Sequence, residues 1–410
     1  MIRRTSLAAA AVAVLSVISP LRAEQPTTRP VYMQEAATTT PAAEDRPLMA
    51  LLTSAGIGKT LKDNNINVYG HLETSYIYNF AGANKNIFGN IFEPRSNQFL
   101  GNQLNLTVER TVNVTKDKWD IGGRAEIIYG TDSQYIHSNG LNWYTGTDEP
   151  QYQFDLNQLY FDLAIPVGNG LRVRGGKIVT LLGTETISPT TNALFTHSYL
   201  FNYAAPITHT GIMATYQLDD NWLVEGGIFR GWDQSIDDNN GSISYHLKLG
   251  YTSTDKKLGA IGQFVTGPEQ NDDTGDFTTV FDFQLTYAFT DKFSLGANSD
   301  IGYASNAAPD GDTAWWYGIA GYAAYKLNDT FTLNGRGEWF RDDEGVRIGV
   351  AANYFEVTAG IAITPFPNDK TLKNLIIRPE LRGDFSTEPV YNNSSDNEMY
   401  TAAIDMIFKF

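Results

Sequence analysis

The chain has 410 residues, with 22 tyrosines, 22 phenylalanines, 37 glycines and no cysteine. The lack of cysteine excludes a disulfide scaffold and any cysteine-ligated metal site, and the aromatic content excludes a disordered chain. The formal net charge is −16, and no basic block accompanies it, which argues against a nucleic-acid partner. No run of 18 apolar residues is present, so a helical membrane protein is excluded. Abundant glycine and aromatics at 42% hydrophobic content favour one large β structure.

The first 64 residues are predicted to lie outside the main fold. A basic start, an apolar stretch at 7–18 and a small-residue exit ending at Ala23 are typical of a secretory signal peptide over 1–23. The alternative for this stretch is a buried core helix. Residues 24–48 are rich in Pro, Thr and Ala and predict a disordered periplasmic linker, and 49–64 predict one short periplasmic helix. Export without cysteine is typical of a bacterial envelope protein.

From residue 66 onward the hydrophobic pattern has a period of two. In 375–385, Leu375, Ile377 and Leu381 share one face, while Arg378 and Glu380 lie on the other, as in a strand with one apolar and one charged face. We predict sixteen such strands, good to a few residues at each end. They cover 66–80, 97–113, 118–129, 152–165, 170–182, 207–218, 221–231, 241–253, 257–267, 276–290, 292–304, 313–327, 330–341, 348–364, 374–386 and 398–410.

The connections between these strands alternate between short and long. Seven short turns, such as 219–220 and 328–329, alternate with eight longer loops, and aromatic residues bracket the strands at both ends. Transmembrane β-barrels have an even strand number, short periplasmic turns, long external loops and aromatic girdles. The sequence therefore predicts an all-β, antiparallel, up-and-down transmembrane β-barrel over 65–410, with both termini on the short-turn side.

The last strand ends the protein on an aromatic residue. Alternate positions from Tyr400 to Phe410 share one face. This strand resembles the C-terminal signature of bacterial outer-membrane barrels, which implies that Phe408 and Phe410 form a signal read by the barrel assembly machinery.

Several phrases of the sequence also resemble one family of outer-membrane proteins, the Putative beta-barrel porin-2, OmpL-like family. The resemblance spans roughly 60–410, and it implies a porin-like channel without a defined substrate. The phrases are INVYGHLETSY at 66–76, GR at 123–124 with IYGTD at 128–132, FDLNQLY at 154–160, GLRVRGGK at 170–177, HSYLFN at 197–202, THTG at 208–211, RGWD at 230–233 and RPELR at 378–382.

A sixteen-stranded barrel is wide enough to hold water, so the polar faces of its strands would line a pore. We hypothesise that basic clusters on the wall face acidic groups across the lumen. The alternative is that these charges form ion pairs that stabilise the barrel. The predicted pore-lining residues are Glu73, Glu109, Arg124, Glu126, Asp162, Arg172, Arg174, Asp300, Arg336, Glu338, Arg378, Glu380, Arg382 and Asp384.

The loop at 183–206 is unusually apolar and aromatic for an external segment. It contains Glu185, His197, Tyr199 and Tyr203, which we predict to be constriction residues. An apolar loop is unfavourable in water, so we expect it to pack against another part of the protein. Our hypothesis is that it folds into the barrel and forms a constriction. Packing against neighbouring loops or at a trimer contact is the alternative.

The sequence predicts passive diffusion of small hydrophilic solutes across the outer membrane, without enzymatic activity, cofactor or metal. No HExxH, P-loop or GxSxG motif occurs, and the acidic stretch 271–276 lacks EF-hand spacing. Expected partners are outer-membrane lipid and lipopolysaccharide, and a homotrimer by analogy with other sixteen-stranded porins. The alternatives are a non-conducting surface adhesin or structural barrel, and a barrel hydrolase built on a hydroxyl such as that of Ser198.

Overall fold

A computed structural model describes residues 46–82, 87–141 and 150–410 of the chain. The predicted signal peptide and all but the last three residues of the predicted linker lie outside these residues. Among the described residues, no helix is both long enough and apolar enough to cross a membrane.

The described chain forms a closed barrel of sixteen antiparallel strands, each hydrogen-bonded to its neighbours in sequence, with the first strand pairing with the last. The predicted fold and strand count are confirmed. The strands are β1 Ile66–Asn79, β2 Phe99–Arg110, β3 Asp120–Gly130, β4 Gln153–Ile165, β5 Leu171–Val179, β6 Thr208–Gln217, β7 Trp222–Phe229, β8 Ser244–Thr252, β9 Leu258–Pro268, β10 Phe277–Ala288, β11 Phe293–Ala304, β12 Ala314–Lys326, β13 Phe331–Asp342, β14 Ala352–Ile363, β15 Leu375–Ser386 and β16 Glu398–Lys409.

The strand faces differ because side chains alternate across a strand. In β2, Leu104, Leu106 and Val108 are exposed on the outside, whereas Asn105 and Thr107 are buried on the inside. The same division holds in β16, where Tyr400, Ile404 and Met406 are exposed, as predicted. An apolar outer face with a polar interior is the arrangement required of a barrel in lipid.

The connections are of unequal length at the two barrel ends. The end that carries both barrel termini has turns such as 218–221 and 289–292, and the other end has the long loops, of which 180–207 is the longest. The turn after β2 is longer than predicted, because β2 ends at Arg110 and leaves 111–119 outside the strands, whereas 364–374 is close to the predicted connection 365–373.

The stretch predicted as one helix at 49–64 forms two short helices, α1 Pro47–Ser54 and α2 Gly58–Asp63, the first of which begins two residues before the predicted start. The break follows from Gly56, whose φ of +88° cannot continue a right-handed helix. The backbone N–H of Val68 contacts the sulfur of the buried Met49 at 3.4 Å, and the guanidinium of Arg46 lies 3.9 Å from the ring centre of Tyr69. These contacts attach the helices to the inner side of β1.

Short helical turns also occur in loops where the sequence predicts none, at Asp132–Tyr135, Leu200–Ala204, Leu372–Asn374 and Tyr391–Ser394. The aromatic girdle predicted near the long loops includes Trp316 and Phe340, and for these two residues the prediction is wrong, because both side chains are buried inside the barrel. Trp316 lies against its cross-strand partner Gly302, where any Cβ would come within 2.1 Å of the indole ring, so only glycine leaves room for it.

Candidate functional site

The long loop between β5 and β6 runs inside the barrel and binds the wall formed by β13–β15. Its first anchor is Arg336 of β13, which donates to Glu185 of the loop at 2.5 Å and to the carbonyl of Thr196 at 2.6 Å. The same guanidinium donates to Glu356 of β14 at 2.6 Å. One buried arginine therefore joins the loop to two strands of the wall.

Two arginines of β15 bind the loop in the same way. Arg378 donates to the carbonyl of Asn192 at 2.6 Å, and Arg382 donates to the carbonyl of His197 at 2.6 Å. Each is also held by a carboxylate of the wall, Asp405 for Arg378 and Asp384 for Arg382. Wall carboxylates fix both guanidinium groups, which leaves further N–H groups free to hold the loop backbone.

Two wall carboxylates accept backbone N–H groups of the loop. Glu338 accepts from Tyr199 at 2.6 Å and Leu200 at 2.7 Å, and Glu380 accepts from Phe195 at 2.8 Å. These bonds satisfy N–H groups in the irregular backbone that would otherwise be buried without partners. The wall therefore presents both charge signs to the loop, donors for its carbonyls and acceptors for its amides.

The aromatic residues of the loop form a buried core inside the barrel. The hydroxyl of Tyr199 donates to Asp384 at 2.9 Å and lies 2.8 Å from the hydroxyl of Tyr391. The ring of Tyr203 stacks on that of Tyr199 with centres 6.3 Å apart, and the carbonyl of Tyr203 accepts from Arg347. The apolar character of the loop, which suggested packing, is explained by this core.

His197 and Glu185 influence each other within the loop. Burial acts to lower the pKa of His197, but Glu93 and Glu185 outweigh it, so the pKa is raised above its ordinary value. Burial likewise acts to raise the pKa of Glu185, yet Arg336 and His197 outweigh it and lower that pKa. The His197 ring also stacks on Phe201 at 4.2 Å. The docked loop thus favours a protonated His197 beside the ionised carboxylate of Glu185.

A second group of charges lies on β3–β5. Arg174 donates twice to Asp162, at 2.8 and 2.9 Å, and lies 3.8 Å from the ring centre of Tyr160. Arg124 pairs with Glu126 at 2.6 Å. Both arginines line the space that remains in the lumen beside the loop.

That space is a cavity of about 120 Å³ between the loop and the wall of β3–β10. Its charged lining residues are Arg124, Arg172, Arg174, Glu185, Glu225 and Lys248. Its other wall includes Leu182, Thr184 and Thr186 of the loop. The loop therefore restricts the lumen to one side of the barrel.

The structure divides the predicted pore-lining residues into two groups, although all of them point inward. Six contact the loop directly, namely Arg336, Glu338, Arg378, Glu380, Arg382 and Asp384. Glu73 lies 3.5 Å from Arg378, Asp300 is buried, and Glu109 accepts from the hydroxyl of Tyr69. Arg124, Arg172 and Arg174 line the cavity, while Glu126 and Asp162 pair with two of them.

The sequence prediction missed several charged residues of the interior. Glu225 and Lys248 line the cavity, Glu356 and Asp405 hold arginines, and Asp282 accepts from the backbone N–H of Gly183 at 3.1 Å. The inward position of Lys248 could have been predicted from alternation, because Lys248 lies between the outward-facing Leu247 and Leu249. No such signal marks Glu225, which is followed by two glycines.

The geometry gives little support to nucleophilic catalysis. The Ser198 hydroxyl accepts from the N–H of Phe201. Thr180 lies 3.3 Å from Nε2 of His209, but Nδ1 of that ring is buried without a hydrogen-bond partner, so no third group orients it. Within the described ranges, no three acidic or histidine side chains are grouped to hold a metal ion.

The fold is shared by solved structures of outer-membrane proteins. The outer membrane channel DcaP of Acinetobacter baumannii is 11% identical, with 84% of this chain and 97% of that chain covered and a TM-score of 0.57. An anion-selective porin from Comamonas acidovorans is 10% identical over 84% and 99%, with a TM-score of 0.57. The trimer form of OmpT from Vibrio cholerae is 13% identical over 84% and 99%, with a TM-score of 0.52. At these identities the likeness shows the fold alone.

No curated protein sequence matches the chain. The sequence profile of one family does, over residues 65–410, which is the whole barrel. The family match, the porin fold and the apolar outer face together place the chain in the outer membrane of a Gram-negative-type envelope. The chain belongs to the Putative beta-barrel porin-2, OmpL-like family.

Proposed function

We propose that the chain is a channel for passive diffusion of small hydrophilic solutes, and that its path runs between the docked loop and the wall of β3–β10. Solutes cross down their gradient, and neither a cofactor nor an energy source takes part. The loop residues Glu185, His197, Tyr199 and Tyr203 act by holding the constriction in place. The observation that carries the proposal is the cavity beside the loop, because six charged side chains line it and a sealed barrel would not require such a lining.

Charge distribution supports the same mechanism. Charged side chains of β13–β15 bind the loop, as the hydrogen bonds of Arg336 and Glu338 to its backbone illustrate. Those on β3–β5 and β8 face the cavity instead. In this arrangement one half of the wall fixes the constriction and the other half meets the solute. Both pairing and pore lining, which were alternatives at the level of sequence, would then occur in one barrel.

The second candidate function is a sealed barrel that serves as a surface adhesin or structural protein. One observation favours it: the loop and its aromatic core fill much of the lumen, with Tyr199 and Leu200 fully buried. A cavity of about 120 Å³ holds only a few solute atoms at a time, so a modest further closure would seal it.

Reconstitution of the purified barrel into a planar lipid bilayer separates the two candidates. We expect discrete current steps at low applied voltage, each from the insertion of one barrel or one oligomer. Protein that inserts, as shown by its heat-dependent mobility on denaturing gels, and yet leaves the membrane sealed at all voltages would contradict the channel and favour the adhesin.

We also propose that the barrel assembles as a homotrimer and that Phe408 and Phe410 guide its insertion by the assembly machinery. Support for the trimer is the trimer form of the structurally similar OmpT. Chemical cross-linking of the protein in native outer membranes tests the oligomer, with a ladder ending at three copies expected. A monomer band alone, under conditions that cross-link a known trimeric porin, would contradict it.

A further inference from the structure

The cavity wall contains a cross-strand row of side chains whose charges do not balance. Direct register partners on neighbouring strands form this row, running from β5 to β8 as Arg172, Thr215, Glu225 and Lys248. All of them point into the lumen, because paired residues on adjacent strands share a face. Within this row two cations share one carboxylate.

The pairing within this row is loose. Arg172 lies 3.7 Å and Lys248 lies 3.8 Å from the two carboxylate oxygens of Glu225, both beyond hydrogen-bond distance. The carboxylate is instead held by the hydroxyl of Thr215, which donates to it at 2.5 Å. Nη2 of Arg172 donates to the same hydroxyl at 3.1 Å, and its Nε is buried without a hydrogen-bond partner. Arg172 is therefore bound less tightly than Arg174, whose guanidinium donates twice to Asp162, at 2.8 and 2.9 Å.

The same row becomes acidic farther round the barrel, and there the loop covers it. Beyond Lys248 the register partners are Gln263, Asp282 and Asp300. Asp282 accepts from the N–H of Gly183 in the loop, and also from the side-chain amides of Gln263, Gln284 and Asn298. Those donors offset its charge, and the loop removes it from the solute path, so the cationic end of the row is the part that remains open.

The remaining acid of the cavity lining is also neutralised. Glu185 is held by Arg336 at 2.5 Å. The open charges are therefore Arg172 and Lys248 against the single carboxylate of Glu225. In a narrow, low-dielectric passage one uncompensated cation attracts anions strongly and repels cations.

We infer that Arg172 and Lys248 form an oxyanion-binding site in the channel, and that the channel prefers small anionic solutes although the protein as a whole is strongly acidic. The ligand chemistry is that of a carboxylate or inorganic phosphate, whose oxygens match the N–H groups of a guanidinium and an ammonium. The solute oxygens would take the place beside the two cations that Glu225 occupies only loosely. This inference rests on the proposed channel function.

The test is the reversal potential of the reconstituted protein in a potassium chloride gradient, which gives the chloride-to-potassium permeability ratio. We expect a ratio above one for the unchanged protein. Lys248→Gln should lower the permeability ratio by at least about twofold, and the double variant with Arg172→Gln should lower it further. Glu225→Gln, which frees both cations, raises it. Lys292→Gln removes the same charge at an exposed position in the turn between β10 and β11, and leaves the ratio unchanged.

Added acetate and added inorganic phosphate, titrated separately, identify the ligand class by reducing the chloride current. The reduction should be lost in the double variant. A ratio below one in the unchanged protein, a ratio that the double variant leaves unaltered, or no reduction by either anion would overturn the site while the channel stands. A sealed membrane would contradict the channel itself, and the site with it.

Discussion

At the scale of single residues, Arg336 is the side chain on which the loop depends most directly. It contacts Glu185, Glu356 and the carbonyl of Thr196, and it is buried. Replacing one partner of a buried ion pair leaves the other charge uncompensated, at a cost of about 3–5 kcal/mol. Two of these three contacts are with the loop, so we expect the loss of Arg336 to affect the position of the loop more than the closure of the barrel.

We predict that Arg336→Gln releases the loop while the barrel stays closed. Single-channel conductance should rise and fluctuate more, because Glu185 and Glu356 repel each other once the guanidinium is gone. The matched control is Arg341→Gln on the same strand, whose partner Asp343 is partly exposed, and it should change neither quantity. Unaltered conductance in Arg336→Gln would show that the loop is held by other contacts.

His197 makes docking of the loop dependent on pH. Its pKa is raised in the docked loop from an ordinary value of 6.5, because Glu93 and Glu185 outweigh the effect of burial. Because the pKa of His197 is higher in the docked loop than in the undocked loop, protonated His197 stabilises docking. This stabilisation is complete at pH values below the undocked pKa, and it is lost as the pH rises through the docked pKa.

Conductance of the unchanged protein should therefore increase as the pH is raised from about 6.5 upward. His197→Gln keeps a polar side chain but cannot titrate, so its conductance should lack this increase. The measurement is a pH series of single-channel recordings at constant salt. An equal slope in both proteins would assign the effect to another group.

At the scale of secondary-structure elements, the two N-terminal helices are attached to the barrel by few contacts. Met49 and Arg46 contact Val68 and Tyr69 at the inner side of β1. The barrel closes through β1 and β16 without them. The helices are therefore more suited to narrowing the adjacent mouth than to stabilising the fold.

Deleting residues 46–64 should leave a folded barrel with a larger conductance. The heat-dependent gel mobility should be retained, since all sixteen strand pairs remain. Arg46→Ala removes only the guanidinium above Tyr69 and should give part of the increase. A deletion variant that fails to fold in detergent, or that folds with unaltered conductance, would contradict this role.

At the scale of the whole molecule, the last residue of the chain extends the pairing of β1 with β16 that closes the barrel. The N–H of Phe410 donates to the carbonyl of Gly70, and the N–H of Gly70 donates to the carbonyl of Phe410, both at 2.9 Å. The Phe410 side chain lies beside Gly70. The backbone of this residue adds two hydrogen bonds to the closing pair of strands, and its half-buried ring is a separate feature that can be changed without removing them.

Two variants separate closure from recognition. Phe410→Ala keeps both backbone hydrogen bonds, so it should refold in detergent like the unchanged protein but accumulate less in the outer membrane of cells. Removal of residue 410 loses the bonds as well and should lower refolding too. Equal accumulation of Phe410→Ala and the unchanged protein in cells would exclude the ring as an assembly signal.

Much of this architecture could be predicted from the sequence because it is local. Alternation within Gln103 to Val108, or within 375–385, is imposed by lipid outside and polar groups inside, and it can be read one strand at a time. Inward placement of Arg336, Glu338, Arg378 and Glu380 followed from the same alternation. The predictions for Trp316 and Phe340 were wrong because an aromatic residue near a strand end can face either the lipid or the lumen. In this barrel the loop provides an apolar surface in the lumen, and both rings pack against it.

The sequence by itself therefore determined the barrel, its strand number and the inward face of each strand, since these follow from residue alternation and the order of turns. Only the tertiary structure decided which inward charges are covered and which remain open. That division depends on contacts between Arg336 and Glu185, or between Glu380 and Phe195, which lie 151 and 185 positions apart. Alternation gives no information at that range, because it is a property of each strand by itself and because much of the loop binds through backbone amides and carbonyls, which carry no residue-specific pattern.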